Sequence, residues 1–475
     1  MNNTVYLCKT KAEYPAISCS PERDHILKAL QRVWLAAGID ADNPFEQWLA
    51  PGATALVKPN WVMDFNPKGG SIDCLVTHPT IIKHAILWCA KAMEGEGTIV
   101  IGDCPIQECD FERLLHVNSI LDVIQIVQHQ FPDIEIKVED WRLTKLQASG
   151  GRHRVFALAN QTSTCSDNEG VENDYVLVDL EGKSFLEDTA EFSELYRVAN
   201  YNPDLMGEHH RPGKHEYLLT RRAFEADLVV NLAKLKTHKK AGLTGALKNL
   251  VGLNGHKEYL PHHIMGSYVD GGDCYYRPNA FMGWRESLSD YYWRNRSSIP
   301  SSMRKTILVL LGLLRRLSNI LGGDGIASGG WSGNETVWRM TLDLNHALYF
   351  SEHSPKKVIS IVDGIIAGEG NGPLRPTAKP LGTILVGENP ACVDAIIARI
   401  MGYNISRVPT VYHAIHDRRS KFPTEKLSDI SVVSISETGD VSQLPLLDVP
   451  VDSFVKPRYW RRAESRFNTG GMTKR

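Results

Sequence analysis

The sequence predicts an α/β protein: a mainly parallel sheet with helices on both faces, plus an inserted, lid-like region. Three observations predict it. Apolar runs of strand length recur along the chain, segments of helical spacing lie between them, and the runs end in polar sequence containing Gly or Pro. In order, residues 53–57 lead into Lys58-Pro59-Asn60-Trp61, 98–101 into Gly102-Asp103-Cys104-Pro105, and 227–232 into a lysine-rich stretch. Residues 358–362 then lead into Asp363-Gly364, and 382–386 into Gly387-Glu388-Asn389-Pro390. Segments 80–93 and 391–401 have helical spacing, with Pro79 and Pro390 placed as helix starters. Ligands of such sheets sit beyond the carboxyl ends of the strands.

The rhythm holds over 1–255 and 334–455, read as two parts of one α/β core. Between them, 256–333 carries Pro261-His262-His263, Gly271-Gly272-Asp273, many aromatics and the run LGGDGIASGG, and reads as an insertion or lid. Residues 456–475 form a basic tail, read as a solvated or subunit-contacting end.

Composition narrows the function classes. A net charge of -2 argues against a general nucleic-acid binder, so any anion site must come from local clustering of cations. The nine cysteines are scattered, and Cys104 and Cys109 fit neither zinc-knuckle nor thioredoxin spacing. With no CxxCxxC run, no iron–sulfur cluster is expected. The N-terminal residues lack the apolar core of a signal peptide, so a cytoplasmic protein is expected. The longest apolar run, 307–314, is too short for a bilayer, which takes about 20 residues. Flanked by Arg304, Lys305, Arg315 and Arg316, segment 303–321 reads as a helix packed on the protein's own core or a second subunit of a homo-oligomer. The alternative is peripheral contact with a membrane surface.

The chemistry is concentrated in NLAKLKTHKKAGLTGALKNLVG, residues 231–252. Between Asp227 and Glu258 stand six lysines and no carboxylate. On an extended chain Lys234, Lys236 and His238 share one side. Gly242 and Gly245 let the backbone approach a ligand, with a helix expected to begin near Thr244. A helix N-terminus with free N–H groups and converging ammonium groups is an anion site for a phosphate, nucleotide or carboxylate. Each charge-assisted contact contributes about 1.5–3 kcal/mol when partly desolvated. The stretch is not a Walker A loop. A solvated basic face is the alternative, but lysines alternating with Leu and Ala place them at the end of a buried strand.

This run resembles the hallmark segment of the family called domain of unknown function 362. So do VKPNWV at 57–62, THP at 77–79, IGDCP at 101–105, DGIIAGEGNGP at 363–373 and NPACVDA at 389–395. The resemblance covers most of the chain outside roughly 275–335. Many members carry an added ferredoxin-like cysteine module, which this sequence lacks. His238-x3-Gly242-x-Thr244-Gly245-x2-Lys248 is also similar in spacing to a segment of lactate racemase. There, a His and a Lys ten residues apart flank a small turn, and the Lys holds a nickel-pincer nucleotide. That likeness implies Lys248 as the cofactor-linking or anion-gripping residue and His238 as an acid–base or metal-facing one.

Further candidates lie at the other strand ends. Lys58 and Asn60 place a cation and an amide at the sheet edge, or simply end a strand. Thr77-His78-Pro79 precedes a helix, making His78 a base or a cap. Asp103 and Asp363 suit acid–base or metal work, and equally turns and caps; Asp394, expected within a helix, suits that work less. Glu369 is flanked by glycines that bring it to a ligand or leave it in a solvated loop. His262 or His263 with Asp273 offers imidazole and carboxylate for a metal, at most one histidine serving because adjacent side chains diverge. No GxSxG, HExxH or kinase signature is present.

The resulting expectation is an enzyme of isomerase or oxidoreductase type. It holds a small anionic ligand or nucleotide-type cofactor through Lys58, Asn60, Lys234, Lys236, Gly242, Thr244, Gly245 and Asn249. Catalytic work falls to His238, Lys248, Asp103 and His78. The rivals are a non-catalytic binding or scaffold protein touching membranes, and a metal-dependent enzyme using His262 and Asp273.

Overall fold

A computed structural model describes residues 1–149, 152–157 and 174–460; the tail expected over 456–475 leaves the described range at residue 461. The central sheet contains β1 (Thr4–Lys9), β2 (Thr54–Pro59), β3 (Thr98–Asp103), β4 (Glu135–Asp140), β5 (Leu228–His238), β6 (Gly242–Thr244), β7 (Lys357–Asn371), β8 (Arg375–Gly387), β9 (Ser431–Ile435) and β10 (Val441–Pro445). Their spatial order is β10-β9-β1-β8-β7-β5-β2-β3-β4, with β6 folded back on β5. From β7 to β4 every neighbour pair is parallel, while β6, β8 and β10 run against the rest. The sheet is therefore mixed but mostly parallel. The antiparallel β8 arises because β7 and β8 form one long hairpin, a direct return that no helix interrupts.

Strand β5 is buried along its whole length, as a central strand covered on both sides must be. Its side chains alternate: Leu228, Val230 and Leu232 enter one apolar cluster, and Val229, Ala233 and Leu235 enter those on the opposite face. Helices α1 (His25–Ala36) and α2 (Pro79–Ala92) cover the first face. The helices Val337–Phe350 and Pro390–Ile400 cover the second.

Local chemistry starts each helix. Asp24 accepts from the amides of Ile26 and Leu27, and α1 turns Ile26, Ala29, Leu30, Val33 and Trp34 inward at helical spacing. Pro79 and Pro390 both stand in the first turn, as their fixed φ and missing N–H favour. His78 Nδ1 accepts from Thr80 N at 3.2 Å, so His78 does cap α2.

Residues 256–333 add no strand to the central sheet. They hold helices α3 (Ala280–Arg294) and α4 (Ser301–Ile320) over two small apolar clusters of their own. Among the described residues, no helix is long and apolar enough to cross a membrane.

Candidate anion site

At the carboxyl ends of β2, β3, β5 and β7 the lysines of the motif divide into two chemical groups. The first is neutralised. Lys234 Nζ lies 3.0 Å from Asp363 Oδ2 and donates to Tyr14 Oη at 2.8 Å, with Lys234 and Asp363 both fully buried. Tyr14 donates to Asp363 Oδ1 at 2.6 Å and stacks on the His78 ring at 3.6 Å. That stack lines an open cleft of about 520 Å³ with Asp73 and Ile366. Burial pulls His78 down to about 4, leaving it neutral. Lys58 pairs with Asp103 at 2.8 Å, and Asp103 also accepts from the amides of Trp61 and Cys104. Asp103 and Lys58 thus tie β2 to β3 as a buried ion pair, and Lys58 also donates to the Pro59 carbonyl at 2.7 Å. Asn249 is likewise committed: it accepts from Asn60 Nδ2 and donates to Asn231 Oδ1 and Lys58 O.

The second group has no such compensation. Lys236 donates to Asn60 Oδ1 at 2.7 Å and to the Leu75 carbonyl. Among the described residues Lys240 Nζ reaches only the His262 carbonyl, at 3.4 Å. Lys248 Nζ meets no hydrogen-bond partner among the described residues, and none of the three makes a salt bridge there. Lys240 and Lys248 keep some solvent contact, yet protein surrounds their ammonium groups closely enough for desolvation to dominate. Burial first, then repulsion from neighbouring lysines, pulls all three down to about 7.

Two neutral histidines border these lysines. His238 Nδ1 accepts from the amides of Lys240 and Ala241 at 3.1 and 3.0 Å, so the ring proton sits on Nε2. His262 is the complementary tautomer: its Nδ1 donates to Leu260 O at 2.7 Å, leaving an Nε2 lone pair. Burial holds both well below the usual histidine range, and Lys240 and Lys248 push them the same way. Thr244, opposite Lys236 in the β5–β6 register, keeps a buried hydroxyl without a partner among the described residues. Buried polar groups are rarely left unsatisfied, and this one stands on the same face as the unpaired lysine.

Three features differ from the sequence expectation. The helix after Thr244 is a single turn, Ala246–Asn249, and its leading amides are taken: Ala246 N and Leu247 N donate to Asp394 at 2.6 and 3.1 Å. No free helix N-terminus faces a ligand. Gly245 is required by that contact, since a Cβ there would sit 2.1 Å from Asp394 Oδ1. Gly242 has φ +86°, the left-handed backbone of the β5–β6 turn. Both glycines are thus required by the fold itself. Asp273, assigned to a metal, instead spends its carboxylate on the amides of Ile264, Glu335 and Thr336 and the Thr336 hydroxyl. Glu369 accepts from Val455 N at 2.8 Å. The proximity of Lys240 to His262, 22 residues further along the chain, appears only in three dimensions.

Fold and site together define an α/β protein in which three lysines, on and just after the central strand β5, make no salt bridge among the described residues. Residues 186–399, which contain the whole motif, match the family described as domain of unknown function (DUF362). It is 23% identical over 250 residues to a thylakoid-associated protein of Synechocystis sp., a stretch covering 52% of this chain and 55% of that protein. The chain thus spans about half the length of this curated relative. No solved structure matches.

Proposed function

We propose that this protein binds a small anion of the phosphate, nucleotide or carboxylate class in the pocket formed by Lys236, Lys240 and Lys248. The single observation that carries the reading is three lysines of one motif, closely surrounded by protein, that make no salt bridge among the described residues. Such a cluster raises the energy of the empty protein, and a bound anion lowers it. His238 Nε2–H and the His262 Nε2 lone pair supply a donor and an acceptor beside it. That pair suits proton transfer at a carbon next to a carboxylate or hydroxyl, hence isomerase chemistry, or oxidoreductase chemistry where the bound nucleotide is a redox cofactor that accepts the hydride. Titration calorimetry with inorganic phosphate and with pyrophosphate tests the pocket. Lys248→Met should weaken binding at least about tenfold, roughly 1.4 kcal/mol, while the melting temperature stays within a few degrees of wild type. A wild-type protein that binds neither anion, or a variant that binds as well, removes the reading. A variant that unfolds makes Lys248 structural.

A second reading concerns where the protein works. Helix α4 buries Ile307, Leu314 and Ser318 but leaves Val309 72% and Ile320 76% exposed, together with Met303, Leu310, Leu313 and Leu321. Lys305 and Arg316 flank this apolar strip, the pattern of a helix lying on an anionic bilayer. The relative's thylakoid association favours the same reading. Wild-type protein should float with vesicles of phosphatidylcholine and phosphatidylglycerol, and Val309→Asp should leave most of it in the dense fraction. Wild type that stays in the dense fraction excludes this contact.

A further inference from the structure

In the 256–333 insertion, behind the lysine pocket, a ring nitrogen of His263, the Cys274 sulfur and a carboxylate oxygen of Glu286 all lie within 4.8 Å of one another. All three residues are more than nine-tenths buried. Among the described residues His263 Nδ1 has no hydrogen-bond partner, an unusual state for a polar atom removed from water. The three residues come from separate segments: His263 from a two-residue strand paired with Tyr196–Arg197, Cys274 from the following loop, and Glu286 from the middle of α3. Backbone contacts hold them in place. Asp273 N donates to Ile264 O, Cys274 N to Gly266 O, and Gly266 N reaches the Glu286 carboxylate at 3.2 Å. Ser328 N points at Cys274 Sγ from 3.1 Å, the kind of donor that supports a metal-bound thiolate.

We propose that His263, Cys274 and Glu286 form a binding site for a divalent transition ion of the zinc class. The donor set is one imidazole nitrogen, one sulfur and one carboxylate oxygen. It matches a borderline-soft ion that takes N, S and O ligands in tetrahedral geometry, and excludes magnesium and calcium, which prefer oxygen alone. Charge agrees. On binding, Cys274 loses its proton to water, and thiolate plus carboxylate neutralise the two positive charges of the ion beside a neutral imidazole. Burial holds the Cys274 thiol well above its usual range, and the adjacent Glu286 adds to the effect, so without an ion the sulfur stays protonated. Three protein ligands leave a fourth position for water or a ligand atom. Because His262 belongs to the lysine pocket and His263 to this site, the ion would fix one wall of that pocket to α3.

Tag-free protein, expressed in zinc-supplemented medium and purified without chelator, should carry about one zinc per chain by elemental analysis. Cys274→Ser and Glu286→Gln should each lower that occupancy at least tenfold. Cobalt(II) added to the chelator-stripped protein should give a thiolate-to-metal charge-transfer band that Cys274→Ser abolishes. Circular dichroism of the stripped variants establishes that they remain folded, and cobalt titration of the stripped wild type gives the answer even where a variant does not fold. Wild type that holds no stoichiometric metal and gives no cobalt band overturns the proposal, as does a band unchanged in Cys274→Ser. Neither result bears on phosphate binding by Lys248.

Discussion

Asp363→Ala is expected to destabilise the protein by about 3–5 kcal/mol, the cost of leaving a buried charge without its partner. Lys234 and Asp363 are both fully buried, and the carboxylate receives four donors: Lys234 Nζ, Tyr14 Oη, His78 N and Ile365 N. Removing it strands the ammonium, with only the tyrosine hydroxyl near it, and releases the backbone amide that precedes α2. Replacing both charges with apolar groups of similar size is a different experiment. Lys234→Met combined with Asp363→Leu abolishes the charge rather than orphaning it, and should recover most of the loss. Urea denaturation of the two single variants and the pair reads this directly. A loss below about 1 kcal/mol for Asp363→Ala would mean that water or a rearranged side chain reaches Lys234, against the observed burial.

The same pair shows what a sequence can and cannot disclose. Residues 98–101 and 227–232 read as strands because short apolar runs ending in polar sequence have few other solutions, and both became parallel neighbours of β2. The motif between Asp227 and Glu258 could be marked as cationic by counting. Which lysines keep an unpaired charge could not. Lys234 finds its carboxylate 129 residues away and Lys58 finds Asp103 45 residues away, through strand order rather than chain proximity. The β8 reversal was hidden for a related reason: 382–386 has the same buried, apolar character whichever way the strand runs.

Near the site the errors have one physical origin. Glycine and an expected helix start were read as features that open the backbone to a ligand, whereas Asp394, far along the chain in the helix Pro390–Ile400, already occupies those amides. His262 and Asp273 were legible as metal-ligating types, but neighbouring side chains diverge. His262 faces the lysines, while His263, Cys274 and Glu286 gather on the other side. Glu286 carried no signal at all in the sequence, because α3 brings it to the histidine from 23 residues away.

Anion affinity should fall steeply as pH rises through neutrality, and sulfate is the suitable probe because its own charge is constant in this range. Lys236, Lys240 and Lys248 are held at about 7 in the empty protein, against an ordinary lysine value of 10.5. An anion binds the protonated pocket, so binding draws protons onto whichever of these amines are neutral. Below pH 7 they are largely charged already and affinity is near its plateau. Above it, each amine that must be protonated costs about a factor of ten in affinity per pH unit. The histidines do not supply the effect: burial keeps His238 and His262 well below 6.5, so they are neutral throughout. Between pH 6 and pH 8, wild-type sulfate affinity should therefore drop on the order of tenfold or more. Lys248→Met removes one titrating amine and relieves repulsion on its neighbours, so its affinity should be lower at pH 6 and its slope against pH shallower. Calorimetry in buffers of different ionisation enthalpy counts the protons taken up and separates this linkage from a general weakening. A flat pH profile would mean that the amines stay charged well above neutrality, with carboxylate or water compensating them, and the pocket would lose its reason to recruit an anion.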